Sequence, residues 1–279
     1  MKILGFDSSG PVASVAIAEE DALGYRKLIG GFRLQSGFTH SQTLMPMLET
    51  MKELAGIDLK EIDYVAVASG PGSFTGLRIG ASAAKGLAFA LEKPVVPVPT
   101  LDAMAYQMAG VQGLVCPMMD ARRQQVYTGV YCFEEKDTSA EPGMAGNVDS
   151  NEDGNRRDRN GGTTDTGEIA WKMKHIIKPC AIAVEELIAE LNRLGIRRED
   201  GMEYGEVPCV HLLGDGVPVY VKELEEGLAI PYSVVPFHRD RQSSEAVCAL
   251  AFELVHEGKV MDADAFAPEY IRSGPQPVV

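Results

Sequence analysis

Hydrophobic and polar positions in the first hundred residues follow strand-like and helix-like spacings in turn. Short β-rich runs predict strands at 3–6, 12–18, 25–34, 64–68 and 95–98. Helical spacing predicts one helix with Thr39 as N-cap, running to about Ala55 before Gly56, and a second over 74–91. The order βββαβαβ predicts a mixed sheet with helical crossovers.

A similar pattern starts again after residue 110. Strands are predicted at 114–119, 125–133, 210–213 and 232–236, with helices at 183–194 and from Ser243 onward. Two such units predict an α/β fold with duplicated mixed sheets. We therefore predict a first domain of 1–109 with 240–279, and a second, smaller domain of 110–239. Residues 134–168 contain almost no large apolar side chains and predict a flexible insertion in the second domain.

The charge of the chain argues against binding nucleic acid unaided. The formal net charge of the 279 residues is −14, and 45% of them are hydrophobic. The first hundred residues contain 10 acidic and 9 basic side chains, so the acidic excess lies in the residues C-terminal to them. An acidic chain lacks the positive field that attracts phosphate backbones. Arg156, Arg157 and Arg159 form one basic cluster, but interleaved aspartates and missing aromatics favour a solvated loop.

The five cysteines are scattered, with no CxxC pair. Their number and spacing indicate neither a disulfide framework nor a zinc cluster. The N-terminus reaches Asp7 before an apolar leader develops, and no apolar run is long enough to cross a membrane. These features predict a reduced, cytoplasmic setting without membrane attachment.

Glycine-rich turns at strand ends carry the candidate chemistry. The most distinctive is SGPGSFTGLRIG at 69–80, which lacks the Gly-Lys-Ser/Thr of a Walker A loop and misses the dinucleotide fingerprint by one position. It is either an anion-binding loop at a helix N-terminus or a tight strand-to-helix turn. With the turns at GFDSS and GDG, it predicts a vestigial nucleotide cleft between the domains. The candidate residues of the cleft are Asp7, Ser8, Ser9, Gly70, Gly72, Ser73, Gly214 and Gly216.

Five segments together resemble the TsaB family, also called YeaZ. They are GFDSS at the N-terminus, HSQTLMP at 40–46, SGPGSFTGLRIG at 69–80, DARRQQVY at 120–127 and PEYIR at 268–272. The resemblance implies a two-domain actin, sugar-kinase and Hsp70-like (ASKHA) fold. It also implies an accessory subunit in bacterial tRNA threonylcarbamoyladenosine biosynthesis. The implied partners are a catalytic relative, TsaD, and the ATPase TsaE, with tRNA reached only through the complex.

The residues themselves favour an accessory role. The catalytic relative carries an HxxxH metal pair, whereas here His40 is followed four residues later by Leu44. One histidine cannot hold a metal without partners. We find no serine or cysteine with an identifiable base, so we predict no catalytic residues, no metal and no cofactor beyond weak ATP or ADP binding.

Surplus apolar residues on the first two helices predict a partner interface. The candidates are His40, Leu44, Met45, Leu48, Met51, Gly76, Gly80, Ala84 and Ala88. The glycines and alanines recur every four residues and form a smooth ridge, although such a ridge also suits packing on the chain's own sheet. Because the relative shares the fold, the same surface predicts a homodimer when the partner is absent. The alternative function is an ATP-hydrolysing or small-molecule-phosphorylating enzyme of the same fold, and a peptidase would need a nucleophile–base pair that we do not find.

Overall fold

The computed structural model of the chain describes residues 1–36, 39–135, 171–196 and 209–271. Within these ranges it contains ten strands and seven α-helices. The strands are β1 Lys2–Asp7, β2 Ala13–Glu20, β3 Arg26–Leu34, β4 Tyr64–Gly70, β5 Val95–Pro99, β6 Leu114–Arg122, β7 Gln125–Glu135, β8 Trp171–Ala183, β9 Val210–Leu213 and β10 Tyr232–Val234. The helices are α1 His40–Ala55, α2 Phe74–Leu91, α3 Thr100–Tyr106, α4 Val184–Ile196, α5 Gly216–Val219, α6 Val221–Gly227 and α7 Ser244–His256.

The strands form two five-stranded sheets with the same topology. The first sheet has the order β3-β2-β1-β4-β5 and the second the order β10-β9-β6-β7-β8. In both, the first three strands pair antiparallel, and the remaining two add in parallel beside the first strand. Helical segments fill equivalent crossovers, since parallel strands need a connection that returns to the starting edge. The predicted fold class, duplicated mixed sheets with helical crossovers, is confirmed.

Capping residues mark the ends of helices α1 and α2. Helix α1 starts after Thr39, whose backbone N donates to Gln42 Oε1 at 3.1 Å, and ends at Gly56 with φ 64°. Helix α2 starts after Ser73, whose Oγ accepts a hydrogen bond from Gly76 N at 3.2 Å. These are the groups that helix ends leave unsatisfied and that caps provide for. Both predicted helices are confirmed, and the last helix begins after Ser243 as expected.

Strand β8 and helix α3 were not predicted. Strand β8 carries Pro179 and alternates poorly, and its pairing with β7 shifts register between the Thr128 and Val130 positions. Proline is tolerated in a strand at such an irregularity or at a sheet edge. Helix α3 is buried along almost its whole length, so it lacks the amphipathic period by which helices are recognised.

Helices α3 and α7 lie between the two sheets. Helix α7 packs its apolar residues on the first sheet, where Cys248 Sγ lies 3.7 Å from Ile3 O. Helix α3 inserts Leu101 and Met104 into a cluster with residues of the second sheet. The division at 110 and 239 stays a prediction. Within the described residues, no helix is long and apolar enough to cross a membrane.

Most of the insertion predicted at 134–168 lies outside the described residues, including Arg156, Arg157 and Arg159. Only Glu134 and Glu135 of this segment are described, and they end strand β7.

Candidate functional site

The β1–β2 hairpin places Asp7, Ser8 and Ser9 at the carboxyl end of β1, the edge at which α/β folds bind ligands. Ser9 donates two hydrogen bonds to Asp7 Oδ1, from its backbone N at 2.9 Å and from its Oγ at 2.6 Å. All three residues are buried, with exposed fractions of 0–2%. The candidate cleft residues therefore meet at the predicted edge but lie beneath the surface.

The glycine-rich segment packs backbone to backbone against this hairpin. Ser8 Oγ donates to Gly76 O at 2.8 Å, and Ser73 N donates to Ser9 O at 2.7 Å. A Cβ on Gly76 would lie 2.0 Å from Ser8 O, and one on Gly72 would lie 2.3 Å from Ser9 O. These approaches are closer than any side chain permits, so both positions require glycine for packing within the chain.

The other candidate glycines pack in the same way. A Cβ on Gly70, with φ +126°, would lie 2.2 Å from Glu269 O. A Cβ on Gly214, with φ +110°, would lie 2.1 Å from Met118 O, and one on Gly216 would lie 3.0 Å from the same oxygen. The interpretation of these glycines as part of a vestigial nucleotide cleft stays a prediction. They meet the chain's own backbone, as the tight-turn alternative predicts.

Two further side chains cover the hairpin tip. His40 Nε2 lies 2.8 Å from Gly10 O, so the imidazole is tied to the hairpin. The amide of Gln242, which precedes α7, fills the space beside Gly10, where a Cβ would lie 2.3 Å from Gln242 Nε2. Gln242 is 0% exposed. The tip is thus covered from the α1 side and from the α7 side.

Four buried side-chain atoms in this region have no hydrogen-bond partner among the described residues. They are Asp7 Oδ2, Asp215 Oδ1, and Nε2 and Oε1 of Gln242. Burial raises the pKa of Asp7 to about 6, against the effect of the hydrogen bonds from Ser9. Burial also raises the pKa of Asp215. Ordered water is the ordinary partner of buried polar atoms of this kind.

The described residues contain no group of three or more His, Cys, Asp or Glu side chains placed to hold a metal ion. Leu44, one turn after His40, is 1% exposed and belongs to the core under α1. His175 lies in the second sheet, where its Nε2 is 3.1 Å from Asp102 Oδ1. The histidines described here are therefore engaged at separate places in the fold.

Seven of the nine candidate interface residues are buried within the chain, and their assignment to a partner interface stays a prediction. They are Leu44, Leu48, Met51, Gly76, Gly80, Ala84 and Ala88. Helices α1 and α2 lie side by side on the first sheet and turn these residues toward it. The small residues of α2 allow close approach to the sheet, as the alternative interpretation held. Of the other two candidates, His40 is half-buried and Met45 is 40% exposed.

The outer faces of the same helices form an open groove of about 600 Å³. Its lining combines apolar, small and hydroxyl side chains with one cation and no carboxylate. The lining residues are Ser41, Leu44, Met45, Phe74, Thr75, Arg78, Ile79, Ser82 and Ala83. Exposed apolar surface is more common at interaction sites than on the rest of a protein's surface. We refer to these nine residues as the helix groove.

The C-terminal segment lies against one side of the helix groove. The Tyr270 ring contacts the Phe74 ring at a tilt of 37° with centroids 5.2 Å apart, and Arg78 Nε donates to Tyr270 Oη at 3.4 Å. The Arg78 guanidinium also lies 4.0 Å from the centroid of Phe74. Tyr270 was noted in the sequence only within PEYIR, and Phe74 and Arg78 only within the glycine-rich segment. Their spacing at i and i+4 on a predicted helix is the one local signal that relates any two of them.

Several known proteins are similar to this chain. A family model described as TsaD, tRNA N6-adenosine threonylcarbamoyltransferase, matches residues 36–153. Proteins named tRNA threonylcarbamoyladenosine biosynthesis protein TsaB are 34% identical over 134 residues in Bacillus subtilis and over 137 residues in Escherichia coli. The resemblance to the TsaB family is confirmed. Each match covers 48% of this chain, and the chain spans little more than half the length of these TsaB proteins, 56% and 57%.

Solved structures of TsaB-like proteins share the fold over nearly the whole chain. YeaZ from Pseudomonas aeruginosa has a TM-score of 0.62 at 22% identity. A second structure from that organism, described as similar to the peptidase YeaZ, has a TM-score of 0.64 at 23% identity. Both comparisons cover 97% of this chain and 99% of the other. These structures confirm the fold class, two mixed α/β sheets, while the ASKHA superfamily stays what the TsaB resemblance implies.

Proposed function

We propose that this chain is a non-catalytic scaffold subunit of tRNA N6-threonylcarbamoyladenosine modification, which acts on the adenosine beside the anticodon. In this proposal the helix groove pairs with TsaD and positions the TsaD active site. The observation that carries the proposal is the open, largely uncharged helix groove on the segment that matches the TsaD family model. The names of the TsaB relatives support the pathway.

The buried hairpin supports a scaffold role over catalysis. A kinase or ATPase of this fold needs a β1–β2 tip that reaches phosphate groups, and here Ser8 and Ser9 are covered by the chain itself. We further propose that TsaE joins the assembly in the cytoplasm, that tRNA is bound through TsaD, and that the chain forms a homodimer when TsaD is absent. Any binding of ATP or ADP is expected to be weak.

Binding to purified TsaD tests the proposal with variants chosen from the exposed face. We expect Met45→Asp and Ala83→Arg to weaken binding at least about tenfold, because each places a charge in the helix groove. Leu54→Asp is the matched control, since Leu54 lies on α1 outside the groove and is 78% exposed. Unchanged binding by both groove variants, in proteins that melt like the wild type, would refute the pairing surface.

One observation favours the enzyme alternative, which is the unpartnered Oδ2 of Asp7 at the edge used for nucleotides in this fold. That alternative predicts metal-dependent ATP turnover by the isolated chain, lost in Asp7→Ala. Turnover at the background rate in millimolar ATP and magnesium would count against it. The same measurement with TsaD present separates turnover by this chain from turnover by the complex.

A further inference from the structure

Three side chains from two distant parts of the chain form one cluster beside the helix groove. Phe74 and Arg78 come from the first turns of α2, and Tyr270 comes from the segment that follows α7. The rings of Phe74 and Tyr270 are 5.2 Å apart, and the Arg78 guanidinium covers Phe74 at 4.0 Å. We call these three residues the aromatic–arginine cluster. A tilted aromatic pair and a cation–π contact link the three side chains to one another.

The backbone beneath Tyr270 is fixed to the first sheet. Glu269 N donates to Ser69 O at 2.7 Å, and Glu269 O occupies the space left by the missing side chain of Gly70. Lys85 Nζ donates to Phe266 O at 2.9 Å, and Phe266 is 2% exposed. The segment is therefore anchored on both sides of Ala267 and Pro268, and it presents Tyr270 beside α2 in a set position.

The cluster nevertheless remains at the surface. Phe74 is 54% exposed and Tyr270 is 46% exposed, while neighbouring Met45 is 40% exposed. Tyrosine and arginine are enriched among residues that dominate protein–protein binding energy. Side chains that are already ordered lose less conformational entropy on binding. An exposed cluster that is held in place before any partner arrives has the properties of an interface anchor.

We propose that the aromatic–arginine cluster is the anchor of the TsaD-binding surface, and that the C-terminal segment thereby belongs to that surface. This inference rests on the proposed function. The occupant is a helical hairpin of TsaD related to α1–α2, because the TsaD family model matches the residues that contain both helices. The helix groove supplies one cation and no carboxylate, so an acidic side chain on the occupant would complement Arg78.

The charge of the groove also ranks the possible occupants. In a twofold pair of identical chains, each subunit presents the same patch. Two copies of the helix groove would bring together two arginines and no carboxylate from the lining residues. A TsaD hairpin with an acidic residue removes this mismatch. The cluster is therefore expected to favour the TsaD pair over the self-pair.

Affinities of full-length variants for purified TsaD test the inference. We expect Tyr270→Ala, Phe74→Ala and Arg78→Ala each to weaken binding roughly 30-fold or more, the range of hot-spot residues. Arg78→Glu is expected to bind TsaD more weakly than Arg78→Ala does. This difference in affinity should shrink at high salt. Arg78→Lys should restore only part of the affinity, because lysine keeps the charge but not the planar stacking group. Tyr25→Ala is the matched control, since Tyr25 is 50% exposed in the connection before β3, away from the helix groove.

The outcomes separate this inference from the proposed function. If the wild type binds TsaD and the Tyr270 and Arg78 variants bind within twofold of it, the cluster is not the anchor and the proposed function stands. If the wild type does not bind TsaD at all, the proposed function itself fails. If the variants lose only self-association in sedimentation experiments, the occupant is a second copy and the inference is wrong. Tyr270→Phe, which keeps the ring, guards against a folding defect and should retain binding within a few-fold.

Discussion

The buried hairpin tip and the helix groove both adjoin helix α2. In both regions the usual placement of polar residues outside and apolar residues inside is reversed. At the tip, Asp7 and Gln242 place polar atoms in the interior that have no hydrogen-bond partner in the part of the chain that the structure describes. In the groove, Phe74 and Met45 expose apolar side chains to solvent. Buried polar groups and exposed apolar patches are the departures from a normal surface that carry information. At the tip polar side chains lie beneath the surface, and in the groove apolar side chains lie on it.

Helix α2 separates the two regions by its faces. Gly76 and Gly80 turn toward Ser8, so the helix lies close to the hairpin, whereas Arg78 projects between them to the opposite side. A helix advances 100° per residue, so neighbouring positions belong to different surroundings. The comparison therefore predicts that adjacent substitutions on α2 have different consequences.

Ala84→Arg is expected to have the largest effect. Ala84 is 0% exposed in the core under α2, so a guanidinium there would overpack the core and bury an unpaired charge. We expect a loss of more than about 4 kcal/mol in the free energy of unfolding. Urea unfolding followed by circular dichroism measures this loss. Ala83→Arg, one residue away in the helix groove, is the control and should unfold nearly as the wild type does, while the proposed function expects it to bind TsaD at least about tenfold more weakly.

Gly76→Ala tests whether the hairpin and the glycine-rich segment must touch. Its methyl group would meet the backbone oxygen of Ser8 at 2.0 Å, and a backbone atom cannot move aside as a flexible side chain can. We expect a loss of about 3 kcal/mol, near the upper end for overpacking. Thermal unfolding measures this difference. A variant with wild-type stability would show that the hairpin is free to move and that the tip is not closed.

The local elements of this fold were largely predictable because their signals lie in neighbouring residues. Thr39 and Gly56 bound α1, and Ser73 begins α2. Strand β8 escaped prediction because Pro179 interrupts the pattern at a register shift. Helix α3 escaped because burial on all sides removes the amphipathic period. Prediction failed where tertiary contacts, rather than local propensity, determine the structure.

The candidate site was less predictable than the fold, for a related reason. Periodicity identified the apolar stripe on α1 but did not reveal that the chain's own sheet covers Leu44 and Leu48. The exposed cluster depends on Tyr270, which is separated from Arg78 by 192 positions. A single sequence has no local signal for such a contact. Seven of the nine candidate interface residues are buried, whereas Met45 lies exposed in the groove, and the interface assignment itself stays a prediction.

Asp7→Asn tests the closed cleft through its pH dependence. A carboxyl with its pKa raised from 3.8 to about 6 binds a proton more tightly when folded, so its contribution to stability is present below pH 4 and is lost as the pH rises through 6. The loss is on the order of 3 kcal/mol for a shift of about two units. Asparagine does not titrate. The stability of the variant relative to the wild type should therefore increase by this amount between pH 4 and pH 7.5, as measured by urea unfolding.

Because the variant is compared with the wild type at each pH, the contributions of the other titrating groups to the free energy of unfolding cancel. These groups include Asp215, whose pKa is also raised by burial. A difference in stability that does not change with pH would contradict the raised pKa of Asp7. A variant that is less stable than the wild type at pH 7.5 would indicate that a bound cation or donor holds the carboxylate. In that case the tip would be an occupied site, and the contrast with the helix groove would weaken.

Gly86→Ala should have the smallest effect and the opposite sign. Gly86 is an exposed position within α2, and no atom lies within 4 Å of the place that its Cβ would take. Alanine restricts the unfolded chain and suits a helix better, so we expect a gain of about 0.5–1 kcal/mol. Thermal unfolding of Gly86→Ala and Gly76→Ala, measured side by side, compares the same substitution at two positions of one helix. A loss of stability in Gly86→Ala would show that this part of α2 is also in contact, and the distinction between its packed and open faces would fail.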